Sequence, residues 1–377
     1  MRALSPLRRA VAAGTLVLAA LVPAAVPAQA GSDSGGLPGR LDAAIQATMQ
    51  EAGIPGVVVG LWRPGQADYV RSFGVADTAT AAPMADHMNF RIGSETKTFT
   101  VTALLQLVDD CLVGLDDPIA KYVDGVRDGE NITLRQLAGM RSGLVSYTED
   151  PDFVTALLSN PERQWTPDEL LPYGMKHLNK FAPGAAFDYS NTNLVLLGMV
   201  VEKMTGRTIA DVIRDRVLHP GHLHRTLFPF GAEFPSPHPR GYTNQTLTGE
   251  TEDSTDWNPS WAWSAGAMIS NLRDLRVWAK VLATGALLSP ATQAERLKML
   301  PIGVPGTSYG LGILDSNGWI GHNGSLPGYE SVTVYLPEED ATLVVLLNTD
   351  SLHNGQEPST LLAKAITTIA TPAHIYD

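Results

Sequence analysis

Only one cysteine, Cys111, occurs in 377 residues, so no disulfide can form within the chain. Cys111 closes an apolar helical run and reads as a small buried residue rather than a reactive thiol. Basic residues are also scarce: 27 Lys and Arg stand against 39 Asp and Glu, a formal charge of −12. With no basic run and no basic helix face, nucleic acid and anionic membranes are excluded as partners. Beyond residue 30 no apolar stretch approaches the ~20 residues of a bilayer-spanning helix, so no stable membrane anchor is expected. There are no repeats and no low-complexity tracts. Gly-x-Ser-x-Gly and His-Glu-x-x-His are both missing, which argues against an α/β-hydrolase elbow and a zincin helix. His219, His222 and His224 cluster without a second ligand group and read as decoration of a turn, so neither a metal nor a cofactor is called for.

What is present begins with a leader. Arg2, Arg8 and Arg9 precede an apolar run from Ala10 to Val22, followed by Ala28-Gln29-Ala30, a small-x-small cleavage pattern. Residues 1–30 are therefore expected to be a signal peptide and the protein to be secreted. In the rest, Leu41, Ile45, Met49 and Ala52 form one helical stripe closed by Gly53. Val57–Trp62 and Asp68–Val75 read as strands around Pro64-Gly65. Residues 112–260 read as mostly helical, with a capping box at Thr166-Pro167-Asp168-Glu169 and an apolar helix over Asn193–Met204. After an amphipathic helix over Asn271–Ala283, the chain returns to strands at Tyr309–Leu314, Trp319–His322, Tyr329–Leu336 and Thr342–Leu347. A last helix starts near Pro358. This order predicts an α+β fold: an antiparallel sheet flanked by terminal helices (about 40–110 and 264–377) with an inserted all-helical domain (about 111–263).

Three short segments carry chemistry. In Gly93-Ser94-Glu95-Thr96-Lys97, a serine at a helix start has a lysine one turn on, over the same face. An amine in apolar surroundings loses its charge readily and can act as the base for that serine. In Tyr189-Ser190-Asn191, the tyrosine can relay a proton, and the asparagine can hold both the lysine and a substrate amide. In His322-Asn323-Gly324-Ser325, a glycine on a strand lets a substrate backbone approach, and the Ser325 N–H can aim at an acyl oxygen.

In this order the three segments resemble the penicillin-recognising serine hydrolases: class C β-lactamases, secreted D-alanyl-D-alanine carboxypeptidases, and related esterases and D-aminopeptidases. Leu105-Gln106-Leu107-Val108-Asp109, Arg141-Ser142-Gly143-Leu144, Ser264-Ala265-Gly266-Ala267 and Tyr309-Gly310-Leu311-Gly312 extend the likeness. The resemblance implies a serine β-lactamase/transpeptidase-like fold and an acyl-enzyme on Ser94. Lys97 and Tyr189 would handle protons, Asn191 would orient the substrate amide, and the N–H groups of Ser94 and Ser325 would form the oxyanion hole. His322 would supply a partly positive, titratable neighbour, and Trp261 and Tyr147 would line the cleft.

Two departures weaken carboxylate recognition. Asn323 stands where the family usually has threonine, and Ile313-Leu314-Asp315 lacks the arginine that clamps a free C-terminus in carboxypeptidases of this pattern. The leading expectation is a D-alanyl-D-alanine carboxypeptidase-like peptidase on small peptide, amide or ester substrates, with cell-wall peptide and β-lactams among its partners. The alternatives are an esterase or D-amino-acid amidase on the same scaffold, and a β-lactam-acylated sensor with little turnover.

Overall fold

The computed structural model describes residues 36–377; the leader expected over residues 1–30 lies outside them. Nine strands form one antiparallel sheet: β1 (Gly56–Trp62), β2 (Tyr69–Asp77), β3 (Ala82–Pro83), β4 (Leu300–Pro301), β5 (Thr307–Tyr309), β6 (Leu314–Ser316), β7 (Trp319–Leu326), β8 (Tyr329–Leu336) and β9 (Ala341–Leu347), in the order β3-β2-β1-β9-β8-β7-β6-β5-β4. The first long strand thus pairs with the last, Val57 opposite Leu347.

Alternation along the strands sends successive residues to opposite faces. Val57, Val59 and Leu61 of β1, with Val332 and Val334 of β8, meet helix α1 (Gly36–Ala52) and helix α5 (Pro358–Ala370) through Leu41, Ile45, Leu362 and Ile366. Val58, Val344 and Leu346 face the other way, toward helix α2 (Thr96–Asp109), helix α3 (Asn191–Thr205) and helix α4 (Leu272–Thr284). Because β1 and β9 are covered on both faces, they read as continuous apolar runs rather than alternating ones, whereas β8, equally buried, carries Glu330, Ser331 and Thr333.

The stretch between α2 and α4 is less helical than the sequence suggests. Leu134–Ala138, Pro151–Ser159, Pro167–Met175 and Ile209–Ile213 are short helices around α3. The proline- and glycine-rich chain that follows carries only short turns and strands of two or three residues as far as α4. One apolar cluster runs from Ile132 and Leu137 through α3 to α2 and on to the sheet.

Two further expectations are corrected. Residues 309–314 do not form one strand: Gly310 N–H donates to the Ile313 carbonyl and Gly312 turns at φ +62, so the chain folds back between β5 and β6. Cys111 is exposed. The helix ends at Asp109, and Cys111 sits beyond the cap at φ +58, which turns its side chain out of the core.

Candidate active site

The chain enters the site from a short strand, Asn89–Arg91, and makes one tight turn, Gly93–Glu95, before α2 begins. Ser94 is half-buried in that turn. Every residue from Thr96 to Leu105 is buried, because α2 is enclosed by α3, α4 and the sheet. Lys97 has nowhere polar to go except Ser94 Oγ and the Ala265 carbonyl, each 2.8 Å from its Nζ. Burial lowers its pKa well below that of a free lysine. A neutral Nζ donates to Ala265 and accepts from the Ser94 hydroxyl, which is the arrangement of a base poised on a nucleophile.

Tyr189 leads into α3, whose N-cap is Ser190. Its hydroxyl lies near Ser94, and Lys97 Nζ lies 4.8 Å from the centre of its ring. Burial raises the Tyr189 pKa above its ordinary value, with only partial relief from Ser94, so it rests as the phenol. Asn191 is not on the lysine, as the sequence reading allowed. Its backbone N–H donates to Ser146 Oγ at 3.1 Å and its side-chain amide to Thr148 Oγ1 at 3.2 Å. The lysine is held by the Ala265 carbonyl instead, which leaves the Asn191 Oδ1 for a substrate N–H.

The third wall is β7. Only its first half pairs with β6, from Trp319 to Gly321, so His322–Leu326 offers a free outer edge to the cleft. The Pro327-Gly328 turn closes the pair Leu326–Tyr329, and Ser325 is next along opposite Glu330. In an antiparallel ladder the N–H at that place points outward. Two glycines bring this edge against the turn of Ser94. Gly93 has φ +50, and a Cβ there would lie 2.6 Å from Ser325 N; a Cβ on Gly324 would lie 2.0 Å from the Ile92 carbonyl oxygen. The N–H groups of Ser94 and Ser325 therefore come from two backbones in direct contact, as an oxyanion hole requires.

His322 is not the partly positive group expected from the sequence. It is 2% exposed, its Nδ1 faces the Asn323 carbonyl, and its Nε2 lies 3.0 Å from the Tyr309 hydroxyl. That pairing suits a neutral ring which donates from Nδ1 and accepts at Nε2. Burial pulls its pKa down to about 3. Asn323 shares the sheet face of Val332 and reaches Glu357 at the start of α5, its Nδ2 donating to Oε2 at 2.7 Å. The amide N–H that would greet a substrate carboxylate is thus engaged by a carboxylate of the protein itself. Tyr147 does not line the cleft. It is fully buried against Phe153 and donates to the Trp261 carbonyl at 2.6 Å. Trp261 is half-buried and edges a shallow hollow with Arg91, Asn258 and Leu326.

The arginines around the site are paired or buried, although Arg91 keeps its Nε and Nη1, and Arg141 its Nε, without a partner among the described residues. Arg240 pairs with Asp253 and Asp77, and Arg141 donates to the Pro301 carbonyl. Arg91 is buried over the Phe234 ring and donates to the carbonyls of Ala232 and Thr255. Arg296 lies under α2 on Thr98 and Thr102. Sequence reasoning had no hold on Ala265, Thr148 or Glu357. Ala265 and Tyr309 lay within quoted phrases, but nothing in the letters said which atom would be used.

This geometry can be set beside known proteins. The Beta-lactamase family profile matches residues 41–366. The chain belongs to that family. Among solved structures, the D-stereospecific amidohydrolase from Streptomyces sp. is 32% identical with a TM-score of 0.79, covering 89% of this chain and 98% of that one. The D-amino acid amidase from Ochrobactrum anthropi SV3, complexed with L-phenylalanine amide, is 28% identical with a TM-score of 0.77, covering 88% and 99%. A D-aminopeptidase of Cereibacter sphaeroides is 27% identical over 340 residues, 86% of this chain. The chain spans about 63% of the length of the curated relatives it matches. As a Beta-lactamase family member with this fold, the chain is a serine hydrolase of that superfamily.

Proposed function

We propose that this chain is a serine amidohydrolase that opens amide bonds of small D-configured substrates through an acyl-enzyme on Ser94. The observation that carries the choice of substrate is the lack, among the described residues, of a free arginine fork at the third segment. His322 is neutral, Asn323 is tied to Glu357, Arg141, Arg240 and Arg296 hold other partners, and Arg91 is buried over the Phe234 ring. A free C-terminal carboxylate finds no guanidinium fork here, whereas an uncharged amide needs none. The likeness to a D-stereospecific amidohydrolase and a D-amino acid amidase supports the same side and supplies the D preference. The carboxypeptidase expectation drawn from the sequence ranks behind it.

In the proposed sequence, neutral Lys97 takes the Ser94 proton as Oγ bonds to the amide carbon, and the N–H groups of Ser94 and Ser325 receive the developing oxyanion. The proton then passes through the Tyr189 hydroxyl to the amide nitrogen, the C–N bond breaks, and ammonia or an amine leaves. Water adds to the ester, gives its proton to Lys97, and the Ser94 oxygen recovers a proton as the acid departs. Because Tyr189 rests as a phenol, it relays the proton and the lysine is the base.

The test is a panel of D-phenylalanine amide, L-phenylalanine amide, a D-alanyl-D-alanine peptide, its C-terminal amide and a short-chain ester. We expect kcat/KM highest on the D-amide and the D-alanyl peptide amide, with the free-acid peptide lower by about tenfold or more. A preference for the free acid or for L-phenylalanine amide overturns the reading.

A further inference from the structure

Glu357 is the residue at this site that no sequence pattern announced. It caps the start of α5 and is half-buried, with one oxygen held by Asn323, two residues before Ser325 on β7. Behind it stands Glu330, opposite Ser325 on β8 and 1% exposed, which accepts the Ser359 N–H at 2.8 Å while its other oxygen has no partner. The two carboxyls share one pocket. Burial and the neighbouring charge hold Glu330 well above the usual carboxylate range, so Glu330 keeps the proton. Burial raises Glu357 as well, but the Asn323 amide on its Oε2 eases it, so of the two carboxyls it is the one suited to hold the charge.

We propose that Glu357 is a specificity-determining residue that turns away leaving groups bearing a free carboxylate and accepts an N–H from leaving groups that end in a carboxamide or amine. Asn323 faces Glu357 on the outer half of β7, the stretch left open where β6 stops. A substrate carboxylate brought to Asn323 therefore meets an anion at hydrogen-bonding distance from the same amide, and like charges in a partly desolvated cleft repel strongly. A carboxamide presents N–H donors to the same oxygen and is held by it. Among the described residues no lysine, arginine or histidine pairs with Glu357 to offset that repulsion. The inference rests on the acyl-enzyme reading of Ser94 and names the leaving-group end of its substrate.

The experiment compares two substrates that differ only at that end, D-phenylalanyl-D-alanine and D-phenylalanyl-D-alanine amide, in the natural enzyme, Glu357→Gln and Glu357→Ser. The natural enzyme should favour the amide by about tenfold or more in kcat/KM. Glu357→Gln should lift the free acid by a similar factor and bring the ratio near one. D-phenylalanine amide, which releases only ammonia, should stay within about threefold. Glu357→Ser keeps an N-cap for α5 and should show the same collapse of the ratio if glutamine disturbs folding. An acid-to-amide ratio unmoved in whichever variant folds overturns the proposal. If no D-aminoacyl substrate turns over, the amidase reading has failed. The same ratio is then read from acetyl esters of glycolate and glycolamide, where a difference abolished by Glu357→Gln upholds Glu357 and an unchanged ratio rejects it.

Discussion

Replacing Lys97 with alanine removes a side chain that is wholly enclosed and touches only Ser94, Ala265 and the Tyr189 ring. We expect the fold to persist and acylation by a reactive ester to slow by about a hundred- to ten-thousand-fold, the usual worth of a positioned base. Ser94→Ala should abolish labelling of the peptide that carries residue 94, and labelling that survives would place the nucleophile elsewhere. The pH profile follows from the same residue. Activity needs the neutral amine, so kcat/KM should fall on the acid side through the lowered pKa of Lys97. It should show no step from His322, which is protonated only near 3, and His322→Gln should leave the shape of the profile unchanged. Glu95 offers a separate handle on stability. It is buried beside the nucleophile, lies near the hydroxyls of Ser331 and Thr333, has no well-aligned partner for either oxygen, and is pushed up to about 8. Below 4.5, its ordinary value, both folded and unfolded chains hold this proton. As pH rises toward 8 the unfolded chain releases it while the folded chain must keep it, so stability drains over that window and is lost fully above it. Glu95→Gln should therefore stabilise the fold at pH 8 by on the order of a few kcal/mol, read as a higher Tm, and leave the Tm nearly unchanged at pH 4.5.

At the scale of elements, the site depends on two backbones meeting without side chains between them. Gly93→Ala would force a left-handed φ on a residue with a Cβ and press that carbon onto Ser325 N. We expect a cost of about 1–3 kcal/mol in denaturant stability, and a fall of about a hundredfold or more in acylation as the Ser325 N–H shifts from its aim. A variant that is destabilised yet acylates normally would show that the two N–H groups do not act together. This contact also marks how far the sequence could be read. Ser-x-x-Lys, Tyr-x-Asn and the glycine of the third segment are local patterns, and short-range geometry makes each legible. Asn323 and Glu357 meet only because α5 packs on the sheet face that odd-numbered residues of β7 share, a relation set by register and not by spacing. His322 read as a cation from its letter alone. Its neutrality comes from burial, in a pocket where Nε2 faces Tyr309, brought there by a turn at Gly310 and Gly312 that the apolar pattern of residues 309–314 concealed. Cys111 failed for a related reason: the helix stops two residues earlier than its apolar run implied, and the left-handed turn beyond the cap faces solvent.

For the whole molecule, the strands at both ends and the helices between them were legible from hydrophobic period and turn chemistry, and they correspond to one sheet and the layers on its two faces. The leader read from residues 1–30 carries its own expectation: intact mass and N-terminal sequencing of protein from the culture medium should begin at Gly31, and a retained apolar segment would contradict it. The pairing of β1 with β9, and of α1 with α5, bears on how such a chain comes to be folded at all. Strands from opposite ends of the chain must find one another before the centre of the sheet exists, so the entropy of closing nearly the whole polypeptide into a loop comes due before these contacts form. While the ribosome is still holding the last strand, β1 has a neighbour on one side only and α1 has no helix to rest against. The nascent protein is therefore expected to complete its sheet only once the last strand has left the ribosome.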